Sequence, residues 1–147
     1  MRSRLINDDN TRTHVVILET GEEVLSQLQR FVQENGVTAS RFTAIGAFSS
    51  VTLGYFDWEK KEYEKIQINE QVEVLSMIGD VAMQDGKPAL HIHVVLGKRD
   101  GTAHGGHLLH GYVRPTLEVV LDAAPARLQR TFDAESGLAL INPDQSE

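Results

Sequence analysis

Residues 89–109 read ALHIHVVLGKRDGTAHGGHLL. Apolar and polar side chains alternate from Ala89 to Leu96, which is the pattern of a β-strand with one buried face. Asp100-Gly101 is a strong two-residue turn, and the chain returns through His107-Leu108-Leu109. The stretch therefore predicts an antiparallel β-hairpin.

The same alternation predicts further strands on both sides of this hairpin, with turn residues between them. They cover residues 14–19, 41–48, 51–57, 64–68, 72–78 and 116–121, with short edge strands at 127–132 and 138–141. Ser49-Ser50 is expected to join two strands, and Gly79-Asp80 is expected to end another. Asp85-Gly86 predicts a second tight hairpin turn.

One helix is predicted, over residues 21–34. Thr20 with Glu23 three residues later forms a capping-box pattern, and Asn35-Gly36 is a typical helix end. The apolar residues recur at helical spacing: Val24, Leu25, Leu28, Phe31 and Val32. We therefore expect a single α+β domain, in which a largely antiparallel sheet packs with one main helix. The expected boundaries are a flexible arm over residues 1–12, the domain over 13–142 and a tail over 143–147.

The composition is that of one ordinary globular domain: 147 residues, 41% of them hydrophobic and 24% charged. The absence of cysteine excludes disulfides, thiolate nucleophiles and cysteine-based metal sites. A net charge of −7 opposes attraction of the whole protein to nucleic acid phosphates. No apolar run approaches the length of a membrane span, and no signal peptide is recognisable, so we expect no membrane partner and a cytoplasmic location.

Histidine is the residue type that points to chemistry. His91 and His93 are two residues apart in a predicted strand, so they face the same side, about 6.6 Å apart along it. His107 lies across the Asp100-Gly101 turn, behind Gly105-Gly106. Three imidazoles meeting there would form a three-histidine site with one open position, as in catalytic zinc sites. His104 is the reserve ligand, and the alternative is that these histidines face solvent or join a polar network.

Two carboxylates interrupt otherwise apolar strands. Glu73 lies between Val72 and Val74, and Glu118 lies between Leu117 and Val119. Either could accept a hydrogen bond from a ligating histidine, or act as the base for a metal-bound water. The alternative is that both face solvent on the polar side of half-exposed strands.

Several motifs occur in one order along the chain: Ala44-Ile45-Gly46-Ala47, Leu53-Gly54-Tyr55-Phe56-Asp57, Gly79, His91-Ile92-His93 and Gly105-Gly106-His107-Leu108. This combination resembles the PPC domain family (plants and prokaryotes conserved, also called PD1-like DNA-binding) over about residues 12–122. The resemblance implies a compact α+β subunit, a homotrimer and a histidine motif on His91, His93 and His107. It also implies a DNA-associated regulatory role, although the chain lacks the Arg-Gly-Arg-Pro core of an AT-hook.

The leading hypothesis is a non-catalytic, homotrimeric PPC-type module that binds zinc, or another divalent metal, through His91, His93 and His107. Its expected partners are further copies of itself and DNA or DNA-bound proteins. The competing hypothesis is a metal-dependent hydrolase or lyase that uses the open coordination position, with Glu73 or Glu118 as general base. A third possibility is a trimer whose histidines only hydrogen-bond to each other.

Overall fold

The computed structural model describes residues 1–8 and 10–146, with side chains for residues 1, 2 and 10–146. These residues form one α-helix, a short 3₁₀ helix and nine β-strands. The helix α1 is Val24–Glu34, the 3₁₀ helix is Pro143–Gln145, and the strands are β1 Arg2–Asp8, β2 Arg12–Glu19, β3 Ala39–Asp57, β4 Glu62–Ile68, β5 Val72–Gln84, β6 Lys87–Gly97, β7 Ala103–Ala123, β8 Arg130–Asp133 and β9 Leu138–Ile141. The sequence predicted this α+β architecture, in which a largely antiparallel sheet packs with one main helix.

Seven strands form one sheet in the order β1-β2-β7-β6-β5-β3-β4, and every pairing in it is antiparallel. β3 pairs with both β5 and β7, so β3, β5, β6 and β7 close into a ring. Thr43 of β3 illustrates the closure, because it lies opposite Ile78 of β5 and Val120 of β7. The ring holds β6 and β7 side by side, which is where the histidines lie.

The apolar core is continuous between the sheet and α1. The helix buries Val24, Leu28, Phe31 and Val32, while the strands contribute side chains such as Phe48, Leu53, Met77, Leu108 and Leu117. Burial of apolar area of this kind is the main stabilising term of the fold. None of the helices in the described part of the chain has the length and apolar character needed to cross a bilayer.

The helix starts later than expected, at Val24, because its N-cap differs from the predicted capping box. The Glu23 carboxylate accepts hydrogen bonds from the backbone N–H groups of Leu25 and Ser26, at 3.2 and 2.8 Å. The Thr20 hydroxyl instead donates to the carbonyl oxygen of Pro115 at 3.0 Å. Glu23 therefore satisfies the free N–H groups that Thr20 was expected to cap.

Two predicted chain breaks lie inside long strands. Ser49-Ser50 is not a turn, because β3 continues through it and the Ser49 hydroxyl donates to the carbonyl oxygen of Tyr112 at 3.3 Å. Bulges on either side of Phe48 shift the register with β7 there, so the strand bends instead of stopping. Gly79-Asp80 likewise lies within β5, which runs on to Gln84.

The turn after β5 is as the sequence predicts. Asp85 and Gly86 have φ angles of 50° and 78°, the left-handed geometry of a two-residue hairpin turn. In the N-terminal segment, part of the arm expected over residues 1–12 forms β1, which pairs with β2. The edge strands expected at 127–132 and 138–141 appear as the β8–β9 hairpin.

Candidate metal centre

Three histidine side chains converge on the outer face of the β6–β7 pair. His91 and His93 are on β6, two residues apart, and His93 lies directly opposite His107 of β7 in the ladder. Residues opposite each other in adjacent strands point to the same face of a sheet. The alternation of β6 and its register with β7 therefore bring the three rings to one place.

The ring nitrogens are close enough to share one ion. The Nε2 atoms of His91 and His93 are 3.1 Å apart, and one nitrogen from each of His91, His93 and His107 lies within 4.8 Å of the other two. Two nitrogens bound tetrahedrally to zinc at about 2.1 Å lie about 3.4 Å from each other. Small side-chain rotations would therefore bring the three nitrogens to the spacing of a three-histidine metal site.

The local environment keeps two of the rings in the form that binds metal. Burial, together with the charges of His91, His93 and Arg130, lowers the pKa of His107 to about 4. Burial also lowers the pKa of His91, and Arg130 adds to this effect while Asp80 opposes it. Both imidazoles are therefore neutral near pH 7, and a neutral imidazole is the metal-binding form.

The donor set passes a further test of fit. The Nδ1 atom of His107 is buried, and no hydrogen-bond partner for it exists among the described residues. A buried, unsatisfied polar atom is costly unless something else binds it. Zinc prefers histidine nitrogens among its ligands, so the three imidazole rings, one of them with an unpaired buried nitrogen, fit a zinc ion.

Packing around His107 fixes the direction of its ring. The ring stacks on that of Tyr63 from β4, with centroids 4.6 Å apart and 28° between the planes. A Cβ atom at Gly106 would lie 2.9 Å from the carbonyl oxygen of Gly54, so the glycine allows β7 to approach β3 closely. This close approach at Gly106 holds the neighbouring His107 against β3.

A carboxylate and a guanidinium that the sequence analysis missed lie beside the triad. Asp80 is opposite His91 in the β5–β6 ladder, with its Oδ2 atom 4.0 Å from Nδ1 of His91. The Nη2 atom of Arg130 donates to Oδ1 of Asp80 in an ion pair. The sequence does place an acidic residue, Asp80, directly after Gly79, but this pair predicts the end of a strand and not a position beside the histidines.

Glu73 and Glu118 are not at the triad. Both are exposed and line a different cavity, together with Ile45 and Leu75. Glu73 precedes Ile78, the residue opposite His93, by five positions, or about 16 Å along the strand. Asp80, rather than Glu73 or Glu118, is therefore the carboxylate beside one of the three histidines.

The other histidines lie apart from the triad. His104 is opposite Leu96, three residues from His93 along β6, so it is on the alternate side of the pleat. His110 lies opposite Thr52 of β3, further along β7. His14 is buried with its ring edge against Phe31, at 5.3 Å between centroids.

A cleft of about 460 Å³ opens beside the triad. His91 and His107 line it from one side, and the β8–β9 hairpin lines it from the other through Arg130 and residues 137–141. Residues 137–141 of the C-terminal segment thus form a wall next to the histidines. A metal held there would have its free coordination position near a space that a small molecule can enter.

The fold has clear relatives among solved structures. A metal-containing protein from Archaeoglobus fulgidus has a TM-score of 0.82 and 37% identity, over 97% of this chain and 99% of the other. A plant- and prokaryote-conserved (PPC) protein from Pyrococcus horikoshii has a TM-score of 0.84 and 35% identity, over 89% and 91%. A candidate DNA-binding protein from Bacteroides thetaiotaomicron has a TM-score of 0.88 at 24% identity, over 97% and 99%, which shows a shared fold.

None of the curated proteins compared with the chain matches it. The profile of the Plants and Prokaryotes Conserved domain, abbreviated PCC or PPC, matches residues 6–125, which includes the histidine triad and the whole seven-stranded sheet except part of β1. The fold, the motif order and this match agree, and the chain belongs to the Plants and Prokaryotes Conserved domain family.

Proposed function

We propose that this chain is a homotrimeric PPC-type module that binds one zinc ion, or another divalent metal, per subunit. The ligands are His91, His93 and His107. The observation that carries the proposal is the convergence of three ring nitrogens within 4.8 Å of one another. An all-imidazole donor set favours zinc and later first-row metals over magnesium or calcium, which prefer oxygen ligands. A structural neighbour described as metal-containing, at 37% identity, supports the same conclusion.

A metal assay on protein purified without a histidine tag tests this proposal. We expect about one zinc per chain in the wild type, with loss of that zinc in His93→Gln and His107→Gln. His104→Gln is the matched control, because His104 lies on the other side of the pleat and its variant keeps the metal. A wild-type stoichiometry near zero, unchanged after zinc is added, contradicts the proposal.

The proposed trimer is supported by apolar side chains on the outer face of the closed ring of strands. Ile78 lies opposite His93 of β6 on one side and Thr43 of β3 on the other. Thr43 in turn lies opposite Val120 of β7, so Ile78 and Val120 belong to one row of paired residues across the strands. The exposed Ile, Leu and Val side chains of these strands are Ile45, Leu75, Ile78, Val95 and Val120. An apolar surface of this kind is typical of an interface between subunits.

Light scattering coupled to size exclusion tests the assembly. We expect a mass of three times 16.3 kDa for the wild type. Ile45 is 60% exposed. The Ile45→Asp variant should no longer form the trimer, because burying an unpaired carboxylate in an interface is costly. Trp58→Asp, at the β3–β4 turn, is the control and stays trimeric. A monomeric wild type contradicts the trimer.

The regulatory part of the proposal is an association with DNA through a DNA-bound partner. Structural neighbours described as candidate DNA-binding proteins support the association, and a net charge of −7 opposes direct contact with phosphates. Titration of a short DNA duplex at two salt concentrations tests whether the protein contacts DNA directly or only through a partner. We expect no binding at low salt. Binding that weakens steeply with salt would instead indicate direct phosphate contacts.

The cleft beside the triad favours one alternative, a metal-dependent hydrolase or lyase. A zinc ion with an open position lowers the pKa of bound water towards 7. Asp80, and not Glu73 or Glu118, is the carboxylate next to His91. Zinc-dependent hydrolysis of an activated ester that disappears in His107→Gln supports the enzyme. The absence of zinc-dependent turnover in fully loaded protein supports the non-catalytic module.

A further inference from the structure

Arg130 is a buried cation at the wall of the cleft, and the binding of the metal does not account for it. The residue is only 9% exposed, yet it lines the same cleft as His91 and His107. It also lies outside residues 6–125, the part of the chain that the family profile matches. Arginine is almost never buried to this degree unless it is paired or binds an anion.

The pairing of Arg130 is incomplete. Its Nη2 atom donates to Asp80, but its Nε atom is buried with no hydrogen-bond partner among the described residues. A guanidinium has five N–H donors, and those left over are suited to the two oxygens of a carboxylate. Arg130 therefore has hydrogen-bonding capacity that Asp80 does not use.

Apolar side chains line much of the rest of the cleft, which also includes Gln84 and Tyr63. Leu90 lines it from β6, while Leu138, Leu140 and Ile141 line it from the β8–β9 hairpin. The partly exposed Leu140 and Ile141 would lose contact with water if an apolar group lay against them. A space with one cation, two imidazoles, the polar side chains of Gln84 and Tyr63 and an apolar wall at the β8–β9 hairpin suits a molecule with one anionic group and an apolar body.

We propose that the cleft binds a small organic carboxylate, with its apolar body against the β8–β9 hairpin and its carboxylate between Arg130 and the three histidines that would hold the metal. This inference rests on the proposed metal site and names the class of ligand that this site takes. The charge of Arg130 is partly balanced by Asp80, and Arg130 is the one Lys or Arg side chain among the described residues that line the cleft. A singly charged carboxylate therefore suits the cleft better than a doubly charged phosphate.

Calorimetric titration of the zinc-loaded protein tests the class of ligand. The probes are benzoate, benzyl alcohol and inorganic phosphate. Benzyl alcohol keeps the apolar ring and lacks the charge, whereas phosphate keeps a charge and lacks the apolar body. We expect benzoate to bind most tightly of the three. Binding of phosphate more tightly than benzoate, or equal binding of benzoate and benzyl alcohol, overturns the proposal.

Variants locate the binding. Arg130→Gln should weaken benzoate binding about 10- to 100-fold, which is the usual range for loss of a charged hydrogen bond. Arg99→Gln, at the exposed β6–β7 turn, is the control and should bind benzoate like the wild type. Ala139→Trp is a second, independent variant, because it fills the cleft from β9 without removing the Arg130–Asp80 pair. Ala139→Trp should abolish benzoate binding by filling the space, so the test does not depend on how well Arg130→Gln folds.

Zinc content, measured on every sample, separates the two proposals. Full zinc occupancy without benzoate binding overturns the carboxylate site and leaves the metal centre in place. Full occupancy with benzoate binding unchanged in Arg130→Gln and Ala139→Trp also overturns it. A wild type that takes up no zinc overturns the proposed metal function, and with it the ligand inference that rests on it.

Discussion

Gly79 lies against the ring of Phe42. A Cβ atom at position 79 would collide with Cζ of that ring and would lie 2.7 Å from the carbonyl oxygen of His91. Gly79 also lies opposite both Phe42 of β3 and Ile92 of β6 in the sheet ladders. The missing side chain therefore lets β5 fit between its two neighbours at the level where β6 carries His91 and His93.

We predict that Gly79→Ala destabilises the fold by about 1–3 kcal/mol, the usual cost of forcing extra atoms into a packed site. The displaced β6 should also weaken zinc binding. Urea unfolding and a zinc titration measure the two effects. Gly111→Ala is the control, because the nearest atom to its Cβ would be in the Phe48 ring at 3.3 Å. Equal effects of the two substitutions would contradict this role of Gly79.

The same glycine shows what the sequence could and could not predict about the fold. Strand alternation and the Asp85-Gly86 turn are local properties, so the strands and the hairpin could be predicted from them. Glycine ends many strands, but here Gly79 is required by the Phe42 ring, which is distant in sequence. Ser49-Ser50 was similarly assigned to a turn, since bulges against β7 depend on a partner strand that the local sequence does not show.

The residues of the candidate site could likewise be predicted only in part. His91 and His93 follow from the two-residue period of one strand, and His107 follows from the short turn after it. The place of a carboxylate relative to the triad depends instead on the register between strands. Register sets Asp80 opposite His91 and leaves Glu73 elsewhere, and Arg130 comes from a hairpin fifty residues further along.

We predict that Asp80→Asn is far more harmful than the loss of an exposed ion pair. The change leaves Arg130 buried without a charged partner, which costs about 3–5 kcal/mol for a fully buried pair. Asp80 is itself half-buried, so we expect about 3 kcal/mol. The control is Glu70→Gln, which removes the exposed partner of Lys98 and should cost less than about 1 kcal/mol. Urea unfolding measures both, and similar midpoints would argue against the pair.

Zinc should stabilise the folded protein, because it links β6 to β7. Binding to the native state alone adds about 2.7 kcal/mol to the free energy of unfolding when free zinc is 100 times its Kd. Thermal unfolding with zinc, and again with EDTA, should show this increment in the wild type and in His104→Gln. The increment should be missing in His93→Gln. Equal melting temperatures with zinc and with EDTA in the wild type would count against a metal site.

The last prediction concerns Tyr63, whose ring stacks on His107 at 4.6 Å between centroids. Tyr63→Leu removes a contact typically worth about 0.5–1.5 kcal/mol and lets the imidazole rotate away from its position facing His91 and His93. Competition with a chromogenic chelator should show zinc binding about 2- to 10-fold weaker. Tyr63→Phe keeps the ring and should keep the affinity, which separates stacking from any effect of the hydroxyl. Tyr55→Leu is the matched control on β3, since Tyr55 is 65% exposed and has no ring contact with His107 among the described residues. If Tyr63→Leu binds zinc like the wild type, the stacked ring does not position the third ligand.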